Sequence, residues 1–172
     1  MEQKTTEEAV EYLMRHPIPR RRVGIVRLQM IRERQSLYGM KRFSSPGEIV
    51  QMMKPLLELA DREISLVLSL NNRLEPMALE IAAVGSLYSC EVQPREVFKH
   101  AVLSNAAFIV AVHNHPSGDV IPSTEDRAIT RRLAECGGLL GIPFIDHIIV
   151  GQGNQYYSFK ENGMLYDSSE GE

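Results

Sequence analysis

The alternation of apolar and polar positions divides the chain into short elements. Thr5 and Glu8 have capping-box spacing, and Val10, Leu13 and Met14 follow as a short helical stripe. "HPIPRRR" ends that stripe with two closely spaced prolines and predicts an exposed linker. "VGIVRLQMI" alternates as a strand does. Ser45-Pro46-Gly47-Glu48 predicts a helix start, with Ile49, Met52, Met53, Leu56, Leu57 and Ala60 facing inward. Pro55 is expected to kink or interrupt that helix, because it lacks the N–H an inner turn needs. "EISLVLSL" and "LEPMALEIAAVG" predict two strands joined by an "NNR" turn, the second disturbed at Pro76. Pro94 opens another helix with Val97, Ala101 and Val102 on one side. "AFIVAV" is almost continuously apolar, as a strand buried on both faces would be. A helix follows Ser123 through "TEDRAITRRLAEC" and is expected to stop at Gly137-Gly138. "FIDHIIVG" and "QYYSF" predict strands around a glycine turn. The sum is a mixed α/β layer structure, with residues 1–42 as a helix and arm, 43–162 as the main domain and 163–172 as a polar tail.

Composition narrows the class. With 44% hydrophobic and 24% charged residues, the chain is globular rather than disordered. No apolar run is long enough to span a membrane, and the acidic, amphipathic N-terminus does not resemble a secretion signal. Two cysteines, Cys90 and Cys136, form no C-x-x-C pair, which argues against a cysteine-rich zinc site and for the cytoplasm. The net charge of −3 is unevenly spread. Arg15 to Arg42 carries nine Lys or Arg and the single acid Glu33, while the stretch from Phe43 to the end carries nine basic and seventeen acidic residues. An acidic body argues against nucleic-acid binding there; the arm from Arg15 to Arg42 is the part that could contact nucleic acid.

The chemistry concentrates in "HNHPSGDVIPSTED", His113 to Asp126. Residues two apart on an extended chain point the same way, so His113 and His115 would share a face. Asp126 would lie in the first turn of the next helix. Two neutral imidazoles and a carboxylate suit a borderline divalent ion such as zinc, and three protein ligands leave a position for water. That water would have a pKa near ~7. Each residue also has a plainer reading. A histidine can be merely hydrogen-bonded, Ser123-x-x-Asp126 can be a helix cap, and Gly118 and Pro122 can simply shape the loop.

The spacing H-x-H-P, six residues, S, two residues, D resembles the signature of the JAB/MPN (JAMM) metallopeptidase superfamily. His113, His115, Pro116, Ser123 and Asp126 occupy its positions. "HNHPSGD", "PREVFKHAVLSNAA", "GIPFIDHIIVG", "SPGEIV" and "ADREISLVLSLNNR" resemble the RadC-like branch, from about Val23 to Phe159. The resemblance implies a JAB/MPN fold, a mixed sheet flanked by helices and related to the cytidine-deaminase fold. It implies Zn2+ held by His113, His115 and Asp126, with Ser123 hydrogen-bonding and helping to stabilise an oxyanion. It also implies a glutamate that deprotonates the metal-bound water, here Glu63 at the head of "EISLVLSL". Glu75, Glu80 and Glu96 are alternatives for that base, Glu80 foremost because its strand could face the site. Longer RadC-like proteins carry a helix-hairpin-helix module ahead of this domain, and residues 1–42 lack its length and glycine-turn pattern.

The expected function is a zinc-dependent hydrolase of a peptide or isopeptide bond in a peptide or protein substrate. The competing readings are a DNA-associated protein acting through its basic arm and a non-catalytic scaffold. Scaffold MPN domains typically lack signature ligands, which this chain retains. A nucleobase deaminase is excluded by the lack of P-C-x-x-C. An iron site built on two histidines and one carboxylate stays open on ligand type alone.

Overall fold

The computed structural model describes residues 15, 42–57, 60–85 and 92–165. The helix expected after Thr5, the strand over 23–31, most of the basic arm, Cys90 and the end of the tail lie outside the described residues.

The described chain runs α1 (Pro46–Leu57), β1 (Ile64–Leu70), β2 (Pro76–Val84), α2 (Pro94–Leu103), β3 (Phe108–Asn114), α3 (Thr124–Leu140), β4 (Phe144–Val150) and β5 (Tyr156–Ser158). The strands form one sheet in the order β2-β1-β3-β4-β5. Only β3 and β4 are parallel; the other neighbours are antiparallel. This is an α/β fold of the expected type, a mixed sheet with helices on both faces.

Period-two alternation along β1 explains the layering. Leu66, Leu68 and Leu70 join Val110, Val112, Ile148 and Val150 against the apolar side of α1. Val67 points the other way and joins Ile109 and Ala111 under α2 and α3. Each buried aliphatic side chain contributes roughly 1.5–3 kcal/mol of transfer free energy. Both faces of β1 and β3 are therefore covered, which accounts for their near-continuous apolar sequences.

Several local expectations change. Pro55 lies in the last turn of α1, which runs on only to Leu57, so the proline accompanies the helix end rather than a kink. Pro76 is the first residue of β2, where a missing N–H costs least, and a register shift falls opposite it. Val102 on α2 is exposed, and Phe98 takes the inward place beside Val97 and Ala101. Leu56 on α1 is likewise exposed, while Val50 is buried. Helix α3 does not stop at Gly137-Gly138; it continues to Leu140 and is capped by Gly141 in the left-handed conformation, φ 66°. Gly137 serves close packing instead. A Cβ there would sit 2.8 Å from the Ile142 carbonyl oxygen and 2.9 Å from the Phe144 nitrogen. Among the described residues, no helix is long and apolar enough to cross a membrane.

Candidate metal centre

Strand pairing brings the sequence-predicted residues together. Ser65 on β1 lies opposite His113 on β3. By alternation Glu63, just before β1, continues the face of Ser65 and Val67, which is also the face of His113. After β3 the chain turns at His115 to Gly118, closed by a Gly118 N–H bond to the His115 carbonyl at 2.9 Å. Gly118 has φ 83°, a conformation that favours glycine. The His115 N–H bonds the Val150 carbonyl at 3.0 Å, which ties the turn to β4.

The far side of the loop is a capping box. The Ser123 hydroxyl accepts the Asp126 N–H at 3.0 Å, and Asp126 Oδ2 accepts the Ser123 N–H at 2.7 Å. The Ser123 hydroxyl also donates to Asp126 Oδ2, at 2.6 Å. The cap therefore holds the Asp126 carboxylate at the start of α3, facing the histidines.

His113 Nε2 lies 3.1 Å from Asp126 Oδ1 and 3.1 Å from His115 Nε2, and His115 Nε2 lies 3.5 Å from Asp126 Oδ2. One ligand atom from each of the three residues falls within 4.8 Å of the others. His115 Nδ1 is 2.7 Å from the Asp119 carbonyl oxygen. A carbonyl only accepts, so Nδ1 carries the proton and His115 Nε2 offers a lone pair. His113 Nδ1 is engaged by His147 at 2.9 Å, away from the cluster. Electron-pair donors thus converge on one point, an arrangement that repels itself without a cation. Imidazole nitrogen and carboxylate oxygen are the donor types zinc takes. His113, His115 and Asp126 fit a divalent metal ion.

The electrostatics agree. Burial alone would raise the Asp126 carboxyl, but the adjoining His113 and His115 and the hydrogen bond from Ser123 outweigh it and hold the group far below the usual carboxylate range. The Asp126 carboxylate beside it raises the His115 imidazole against the opposing effect of burial. Glu63 goes the other way. Burial pushes its carboxyl up, nearby His113 offsets part of that, and the Asp126 charge adds to the rise. Glu63 Oε1 lies 4.0 Å from His113 Nε2, beside the three donors but outside their set.

Glu75 and Glu96 sit elsewhere, while Glu80 shares the sheet face of His113 from one strand further out. Glu75 accepts from Asn71 Nδ2 at 2.7 Å in the β1–β2 hairpin. Glu80 is opposite Val67 on β2, and Glu96 pairs with Lys99 at 2.6 Å on the solvent side of α2. Three further residues of the site are not singled out by the sequence pattern. Asn114 stands between the histidines, His147 lies on β4, and Thr130 lies one turn after Asp126.

A model of the RadC-like JAB domain matches residues 43–164. The chain belongs to the RadC-like JAB domain family. The Val23–Arg42 stretch included in the sequence resemblance lies outside that match. Among RadC-like relatives, the chain is 48% identical over 122 residues to a UPF0758 protein of Rubrobacter xylanophilus, covering 71% of this chain and 53% of that one. It is 43% identical over 122 residues to a UPF0758 protein of Desulfitobacterium hafniense, covering 71% and 53%. A UPF0758 protein of Methanosarcina mazei is 41% identical over 125 residues, covering 73% and 54%. The chain spans about half the length of these curated RadC-like relatives.

Proposed function

We propose that this RadC-like JAB domain protein is a zinc-dependent hydrolase of an amide or isopeptide bond in a peptide or protein substrate. His113, His115 and Asp126 would hold the ion, and Glu63 would be the general base. A bound zinc ion would supply Lewis acidity, polarising a carbonyl and bringing the pKa of water toward ~7. Glu63 takes a proton from water as the water oxygen adds to the carbonyl carbon, and returns it to the departing nitrogen. A carboxyl raised by burial suits both halves of that task better than an ordinary one. Ser123 at rest donates to Asp126, so helping an oxyanion asks its hydroxyl proton to turn from Asp126 to the substrate oxygen.

The observation that carries this reading is the position of Glu63. Its carboxylate is 4.0 Å from a ligand histidine, yet it is not one of the three converging donors. A proton acceptor so placed is what hydrolysis needs and simple metal storage does not. The test is Glu63→Gln, which keeps size and removes the base. Zinc content is expected to stay unchanged, and cleavage of peptide or isopeptide conjugates to fall by about 10² to 10⁴. Glu80→Gln is the control. Equal cleavage by Glu63→Gln and the unaltered protein contradicts the assignment of the base.

A further inference from the structure

We propose that His147 is a positioning residue that fixes His113 as its Nδ1–H tautomer and so aims the His113 Nε2 lone pair at His115 and Asp126. The proposal rests on the metal-binding reading of that cluster and adds a residue outside the signature.

Hydrogen-bond direction in this cluster is set by a group that can only accept. Thr130 Oγ1 lies 2.6 Å from the Asp126 backbone carbonyl oxygen, four residues back on α3. Two oxygens at that separation need a proton between them, and the carbonyl has none to give, so the hydroxyl donates. Thr130 Oγ1 also lies 2.6 Å from His147 Nδ1. Its single proton is already spent, so here it accepts and His147 Nδ1 carries the hydrogen. His147 is buried and stacked on Phe159 at 5.1 Å and 15°, and among the described residues no carboxylate hydrogen-bonds to it. An imidazole that ligates a metal is neutral and turns a bare nitrogen to the ion, so with Nε2 toward the cluster His113 carries its hydrogen on Nδ1. His147 Nε2 lies 2.9 Å from His113 Nδ1. His113 therefore donates from Nδ1, and its Nε2 faces the other two ligands as a lone pair.

The fold explains why this residue reaches this place. β3 and β4 are parallel, with Ala111 beside His147 and His113 beside Ile149. His147 thus shares the sheet face of His113, one pleat earlier on the next strand. Asp126 and Thr130 are four apart on α3 and present one side of the helix to that face. The bonds run from His113 to His147 to Thr130 to the Asp126 carbonyl, and the Asp126 carboxylate comes back to within 3.1 Å of His113 Nε2. Both ends of Asp126 are thereby tied to the orientation of one imidazole. Second partners of this kind orient ligating histidines, and their loss typically costs about 10–100-fold in metal affinity.

The experiment uses the full chain, labelled with the heavier nitrogen isotope, and reads ring tautomers from long-range proton–nitrogen NMR correlations. His113 is expected to carry its proton on Nδ1 before zinc is added and to bind zinc through Nε2. Zinc affinity is measured alongside by competition with a chelating dye. His147→Gln presents an amide oxygen to His113 and an amide N–H to Thr130, and is expected to stay within a few-fold of the unaltered protein. His147→Phe keeps the ring stack but removes the acceptor, and is expected to weaken zinc by about 10–100-fold. A His113 proton on Nε2 in the zinc-free protein overturns the proposal, even if neither variant folds. So does a folded His147→Phe protein that binds zinc as tightly as the original, or equal weakening by Gln and Phe. If the unaltered protein binds no zinc, the metal reading fails, while the His113 tautomer still decides the role of His147.

Discussion

Asn114 clamps the backbone on both sides of Glu63. Its Oδ1 accepts the Ile64 N–H at 2.8 Å, and its Nδ2 donates to the Arg62 carbonyl at 3.1 Å. The Gly85 N–H bonds the Glu63 carbonyl at 2.8 Å from the other neighbouring strand. The residue between the two histidines thus locates the residue proposed as base.

Asn114→Ala removes both bonds and leaves a partly buried N–H and carbonyl without partners. Stability in a denaturant titration is expected to fall by about 1–3 kcal/mol. Any hydrolysis is expected to fall by up to about 10²-fold through misplacement of Glu63, with zinc content retained. Unchanged stability and turnover would remove the clamp from the account.

Gly137→Ala tests the close approach of α3 to the segment leading into β4. Helix propensity favours alanine by up to about 1 kcal/mol. The added Cβ would meet backbone at 2.8 and 2.9 Å, which does not yield as a flexible side chain would. The clash is expected to win, with a net loss of about 1–3 kcal/mol and a thermal midpoint lowered by several degrees. A raised midpoint would show that the helix has room to move away.

His100 supplies a pH dependence distant from the ligand cluster. It is buried on the inner side of α2 with Nδ1 3.1 Å from the Ser69 hydroxyl, and burial, aided by Lys99, lowers its pKa from 6.5 to about 4. Between those values the unfolded chain binds a proton that the folded chain refuses. Stability therefore falls as pH drops from 6.5 toward 4, and this contribution is fully present only above 6.5. His100→Gln is expected to flatten that part of the stability curve relative to the unaltered protein. Parallel curves for the two proteins would contradict it.

The candidate site is legible in the sequence because His113, His115, Ser123 and Asp126 lie within the fourteen residues from His113 to Asp126. Local rules suffice there. Alternation sets His113 and His115 on one side, and capping chemistry sets Ser123 and Asp126 at a helix start. Glu63 needs the family resemblance, since only the β1–β3 register brings it near. His147 and Thr130 depend on strand order and on which side of α3 faces the sheet, neither of which "FIDHIIVG" nor "TEDRAITRRLAEC" encodes locally. Asn114 reads as an ordinary polar residue until β1 lies beside it. The end of α3 is misread for a related reason. Gly137 and Gly141 are the same letter, but one permits tertiary packing and the other a left-handed cap.

The central claim is that His113, His115 and Asp126 hold one divalent ion, and elemental analysis of purified, zinc-reconstituted protein tests it most directly. The unaltered chain is expected to retain about one zinc per chain after removal of excess metal. His115→Ala is expected to retain essentially none, and Asp126→Asn distinctly less than the original. A zinc-free unaltered protein, or a His115→Ala protein that keeps its full zinc, would contradict the account.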